Sequence, residues 1–221
     1  SVRMPLMMSF LRVITALSLV FTLSSAEATT VGPITELTAS PPTASQRRPD
    51  GAWDGTRYVL IWEDGRSPAN GQEIYLTRID TDGSILDANG LPVLSPPQPG
   101  SQGQPSIFYN AATMTFMLSW VDPRDTFNDV YFSRFFPNGT VPFPEPGGIQ
   151  LTSGDDSESN PRIACTTQTC MVSYQASVVG GGLAARGVRI YPTGAIIDSS
   201  PIELVSDGGQ SGELSPRLLA L

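Results

Sequence analysis

Landmarks that repeat every 55 or 56 residues, four short strand-like stretches inside each period, and a turn-rich composition together predict an all-β fold. Pro49, Pro105 and Pro161 are spaced by 56 residues, and Pro216 follows 55 further on. Arg78, Arg134 and Arg189, and likewise Gly83, Gly139 and Gly194, keep spacings of 56 and 55. A period of this size marks a repeat architecture in which no single unit buries its apolar face alone. With 21 Gly and 20 Pro in 221 residues and only 15% charged residues, the chain is written for tight turns and not for long helices. The predicted architecture is a β-propeller of four-stranded antiparallel blades, incomplete in this chain: three units, an orphan N-terminal strand and the start of a fourth.

In chain order, residues 1–28 predict a secretory signal peptide. Arg12 precedes an apolar run from Val13 to Leu23, and Ala26 and Ala28 form an A-x-A site before Thr29. That run is shorter than the roughly 20 residues a spanning helix needs, so no membrane span is expected in the mature chain. Residues 29–45 hold "VGPITELTAS", which resembles "SSPIELVSDG" near the end of the third unit. This predicts an orphan outer strand and its connection.

Blade unit 1 covers 46–103. "PDGAW" is its first strand, Asp54-Gly55 turns into "RYVLIWE", a longer loop leads to "EIYLTRI", and "TDG" turns into a fourth strand through "LPVLS". Asp-Gly and Asn-Gly supply the positive φ that tight hairpins demand. Units 2 and 3, at 104–159 and 160–214, repeat the scheme, and 215–221 opens a truncated fourth unit at Pro216. Proline at the head of each first strand fits an edge position, where no ladder donor is needed, and so the innermost strand of a blade. The large aromatic residue near the end of each second strand (Trp62, Trp120, Tyr174) fits the face between adjacent blades. Three units are fewer than the 4 to 8 blades of typical closed rings, hence the expectation of a fragment of a larger propeller.

Several chemistries are closed at the outset. All 13 basic residues are Arg and the chain has no His, which removes the imidazole general base, the imidazole metal ligand and the lysine Schiff base. Carboxylate chemistry and oxygen-ligated metals stay open. A net charge of −8, and of −9 once residues 1–28 are removed, disfavours nucleic acid and anionic membranes as partners. Cys165 and Cys170, in "IACTTQTCMVSY", have a spacing that suits a disulfide across a tight hairpin and agrees with export.

The units "WDGTRYVLIWEDGR" with "EIYLTRIDTDG", then "DVYFSRFFPNG", then the weaker "MVSYQAS" resemble the secreted bacterial β-propeller repeat proteins. Their units carry a proline-led strand, a "dG-x-x-Y-x-V-x-W-x-D" hairpin, an "I-Y-x-x-R" strand and a "D-G" turn. The resemblance covers about 30–221 and implies architecture without naming an activity.

Candidate sites follow from recurrence and charge. The Trp62-x-Asp64 and Trp120-x-Asp122 pairs recur with Arg78 and Arg134 on the next strand. They predict an Asp to Arg contact stitching strands or blades; the functional alternative is an arginine cluster facing an anionic ligand on the axis, as in sialidases. Asp80, Asp82 and Asp87 in "DTDGSILD" have a spacing reminiscent of a calcium loop, but the other units do not repeat them and a plain hairpin turn is the favoured reading. The Asp-box S-x-D-x-G-x-x-W of sialidases is not matched. On a propeller the connections between the second and third strands and between blades share one face. Here Asp122, Asp125, Asp129, Asp155, Asp156 and Glu158 crowd that face and would favour cations, Ca²⁺ among them, or a basic partner.

No motif specifies catalysis. The leading expectation is a non-enzymatic, exported binding scaffold, extracellular, at the cell surface or periplasmic, for a protein, peptide or glycan. The alternatives are a sialidase-like or other glycosidase-like propeller with paired acids, and a purely structural surface array.

Overall fold

A computed structural model describes residues 44–67, 69, 71–137, 147–179 and 181–206. The expected signal peptide, most of the 29–45 segment, Gly139 and the unit opening at 215–221 lie outside the described residues. All twelve described strands belong to the compact unit Glu36–Leu221. They form three antiparallel four-stranded sheets. Blade 1 is β1 (Gln46–Trp53), β2 (Arg57–Asp64), β3 (Glu73–Asp80) and β4 (Leu91–Pro92). Blade 2 is β5 (Gly103–Asn110), β6 (Thr115–Asp122), β7 (Asp129–Phe135) and β8 (Ile149–Gln150). Blade 3 is β9 (Ser157–Cys165), β10 (Cys170–Ser177), β11 (Leu183–Ile190) and β12 (Ile202–Ser206). In each blade the strands pair in sequence order.

The turns explain the pairing. Gly55 has φ of 99°, and Asp54 Oδ1 accepts the N–H groups of Thr56 at 2.7 Å and Arg57 at 2.6 Å. That closes the β1–β2 hairpin in the register Trp53 to Tyr58. The β9–β10 hairpin is closed covalently as well: Cys165 and Cys170 are register partners with Cα atoms 3.9 Å apart, joined by a disulfide. The bridge fits an oxidising, exported environment. Among the described residues no helix is long and apolar enough to cross a membrane.

Packing follows the two-residue period of a strand. In β6 all eight residues are buried, because blade 2 lies between two other blades. Phe116, Leu118 and Trp120 point to blade 1 and join Val59, Ile61, Leu76 and Leu94 in one core cluster. Met117, with Val130 and Phe132 of β7, points the other way and joins Ile163, Val172 and Tyr174 of blade 3. Each such apolar side chain contributes about 1.5–3 kcal/mol of burial, so the joints between blades carry the core. The same face of β2 in blade 1, Tyr58-Leu60-Trp62, is more open, and Tyr58 is 49% exposed. The innermost strands touch in sequence, β1 against β5 and β5 against β9.

Candidate functional site

The three innermost strands repeat one irregularity. Arg48, Gln104 and Asn160, each directly before the strand's proline, have positive φ of 50°, 56° and 52°. A pre-proline residue is crowded by the ring, and a left-handed non-glycine conformation costs on the order of 1–3 kcal/mol. The proline has no N–H for the ladder, so the strand bulges there: register jumps between Arg47 and Asp50, between Gly103 and Ser106, and opposite Ser173 and Gln175. A bulge re-aims the side chain it carries.

The bulged residues are joined by hydrogen bonds across the blades. Arg48 Nη1 donates to Glu63 Oε1 at 2.8 Å, and the same oxygen accepts Gln104 N–H at 2.7 Å. Gln104 Oε1 in turn accepts the backbone N–H of Asn160. Arg47 Nε stands 3.4 Å from Glu63 Oε2, an ion-pair distance without hydrogen-bond alignment. Glu63 is fully buried while the Arg47 and Arg48 side chains are 53% and 57% exposed, so the cations sit on the solvent side of the acid. A further bond, Ile107 N–H to Asp50 Oδ2 at 3.1 Å, ties β5 to β1. The result is a polar arc, Arg48 to Glu63 to Gln104 to Asn160, at one end of the innermost strands.

The same end collects acids. Register places Gln46, Asp64 and Glu73 side by side, and Asp122 opposite Asp129. Glu63, Asp64, Glu73, Asp122, Asp129 and Glu158 are all buried. In blades 1 and 2 the aspartates belong to a repeated stack. Trp62 Nε1 donates to Asp64 Oδ2 at 2.8 Å, Arg66 Nη2 pairs with it at 2.6 Å, and the guanidinium lies 4.0 Å over the Tyr75 ring. Trp120, Asp122, Arg124 and Tyr131 repeat this, with Arg124 4.1 Å over its tyrosine. Burial raises the Asp64 carboxyl, but the bonds from Arg66, Trp62 and Gln46 outweigh it and hold the group at about 2. The expected partner of these acids therefore needs correction. Asp64 and Asp122 bind the arginine two residues on, whose short loop curls back, while Arg78 binds Asp87 at 2.8 Å.

The proposed calcium loop is spread out. Asp80 pairs with Arg57 at 2.8 Å, Asp82 Oδ1 accepts the Ser84 N–H at 2.9 Å, and Asp87 accepts the backbone N–H and two guanidinium bonds of Arg78. Among the described residues no group of three or more acidic or cysteine side chains is placed to hold a metal ion.

Of the face acids, Asp125 is exposed and accepts the Tyr131 hydroxyl at 3.3 Å, and Asp155 is exposed. Asp156 accepts Val179 N–H at 2.9 Å and pairs with Arg186 at 2.6 Å. Asp129 and Glu158, from blades 2 and 3, come together around Thr152, and each is 4% exposed. Burial and then the Asp129 charge push Glu158 up to about 7; burial raises Asp129 as well.

Two open cavities of about 220 and 270 Å³ lie between the outer strands of blades 2 and 3. One is lined by Ser133, Arg134 and Thr193, the other by Asp198, Ser199 and Ser200.

No family model matches the chain, and no curated protein matches it. The fold is similar to that of a Hadza microbial sialidase, Hz136, at 10% identity over 73% of this chain and 37% of that one, with a TM-score of 0.55. It is similar to an N-acetylgalactosamine deacetylase from F. plautii solved with blood group B trisaccharide, at 10% identity over 76% and 56%, with a TM-score of 0.53. A third likeness is Zg3597, a family 117 glycoside hydrolase of the marine bacterium Zobellia galactanivorans, at 12% identity over 73% and 57%, with a TM-score of 0.50. The chain thus spans from over a third to somewhat more than half of these proteins' length. At this identity the likeness is one of fold: three four-stranded antiparallel blades of β-propeller type.

Proposed function

We propose that the chain is part of an exported, non-enzymatic β-propeller that binds a glycan at the end of its innermost strands. The polar arc Arg48, Glu63, Gln104, Asn160 carries this reading. One backbone conformation recurs in three blades while its side chain changes from Arg to Gln to Asn. Where a fold repeats and the chemistry varies, the position is set by architecture and the side chain answers to other demands, a ligand among them. The Arg48 guanidinium is largely exposed and the Gln104 and Asn160 residues partly so, which suits a hydroxyl-rich ligand better than an apolar protein anchor, which needs a hydrophobic pocket. The fold likeness to a sialidase and to a deacetylase solved with a trisaccharide supports a sugar as the ligand. The buried acids at this end are tied to Trp, Arg, Thr and backbone partners, which suits a scaffold.

A glycosidase-like enzyme is the second reading, favoured by Glu158, whose elevation to about 7 lies where a general acid works. Against it stands burial: a general acid must reach a substrate oxygen, and Asp129 and Glu158 are each 4% exposed.

A panel of immobilised glycans, with product release assayed on the same sugars, separates the readings. Binding without turnover is expected. Release of product would favour the enzyme, and binding only to peptides or proteins would remove the glycan.

A further inference from the structure

The joint between blades 2 and 3 contains a proton count that the rest of the molecule does not explain. Asp129 opens β7, Glu158 is the second residue of β9, and Thr152 lies in the connection between β8 and β9. Thr152 Oγ1 accepts the Val130 N–H at 2.8 Å, and stands 3.3 Å from Asp129 Oδ1 and 3.2 Å from Glu158 Oε2. A hydroxyl has one proton to give and two lone pairs to receive. With one lone pair used by Val130, all three contacts are hydrogen bonds only if one carboxyl brings its own proton. Gln150 Nε2 donates to Asp129 Oδ2 at 3.0 Å, so Asp129 is the better-served anion and Glu158 the group that holds the proton. The chain of donation runs from Glu158 through Thr152 to Asp129.

Among the causes that set Glu158, the opposing charge of Arg186 is the smallest. Arg186 of β11 is engaged by Asp156, in the connection just before β9, and Arg124 by Asp122 at the end of β6. Asp125, before β7, adds negative charge near Asp129. Tyr174 of β10 is 1% exposed, and its hydroxyl has no hydrogen-bond partner among the described residues.

We propose that Asp129 and Glu158 share one proton across this joint, and that blades 2 and 3 hold together most firmly while it is present. Loss of the proton leaves two buried carboxylates on one hydroxyl, an arrangement that like charge and desolvation both oppose. Burial raises Glu158 from an ordinary 4.5 to about 7, in agreement. The sign follows from linkage. Between those pH values the folded chain keeps a proton that the unfolded chain releases. The stabilisation is therefore complete below pH 4.5, declines as pH rises through the window, and is gone above 7.

The test is urea denaturation of the full chain and of Glu158→Gln between about pH 5 and 8. Gln keeps the shape, offers Thr152 an N–H and cannot ionise. The folded-to-unfolded ratio of the wild type should fall by on the order of a hundredfold across the window, while the variant loses much less. An equal pH slope in both proteins would overturn the proposal. Should the variant not fold, the carboxyl ¹³C resonance of Glu158 in the wild type decides, with a midpoint near 7 expected and one near 4.5 contradicting it.

Discussion

Blades 2 and 3 occupy equivalent places in the repeat and solve the same packing problem differently. In blade 2, Trp120 fills the joint to blade 1, its indole N–H goes to Asp122, and Arg124 closes the stack over Tyr131. In blade 3, Tyr174 takes the place of the tryptophan, Ala176 that of the aspartate and Arg186 that of the stacking tyrosine. The charge pair survives in altered form, as Arg186 of the third strand with Asp156 of the preceding connection. What does not survive is the partner of the aromatic polar atom, because the Tyr174 hydroxyl is buried without one among the described residues. The repeated stack is therefore structure, and the departure from it sits beside the carboxylate pair.

That contrast breaks most severely at the indole. Trp120→Ala should cost about 4 kcal/mol, as a fully buried aromatic is lost and a cavity opens between blades; a change under about 1 kcal/mol in urea denaturation would mean the joint collapses freely. Asp122→Ala should cost about 3 kcal/mol, since Arg124 and the Trp120 indole lose a shared, fully buried acceptor. If stability is unchanged, the stack is ornamental. Tyr174→Phe sharpens the contrast by its sign: deleting an unpartnered buried hydroxyl should stabilise the chain by about 1 kcal/mol. A loss of stability would show that the hydroxyl is satisfied in solution.

Gly148 shows how closely the stack is fitted. It has φ of 75°, and a Cβ there would stand 2.5 Å from the Trp120 ring, while Gly90 takes the same place beside Trp62. Such close approach of backbone to an indole is invisible in a linear sequence. The period, the hairpins and the disulfide are legible there because they depend on local spacing: Asp-Gly fixes a turn, and Cys165 and Cys170 flank one. The aspartate partners are not, because Arg78 repeats with the period and Arg66 looks like a loop residue. A short loop can fold back onto its own strand end, and a periodic landmark does not reveal that. Asp129 and Glu158 are visible as acids of one face, but they lie 29 positions apart, and only the docking of blade 3 on blade 2 brings them to Thr152. Arg48, Gln104 and Asn160 escape a sequence reading, although each precedes a proline that defines the period, because a pre-proline residue reads as extended backbone and not as a bulge.

The most direct measurement is backbone and side-chain NMR of the full chain during titration with the tightest-binding oligosaccharide. Shifts centred on Arg48, Gln104 and Asn160 are expected if a glycan is held at the polar arc. Shifts confined to Ser133, Arg134 and Thr193, or to Ser199 and Ser200, would place the sugar in an outer cavity between blades and contradict the site.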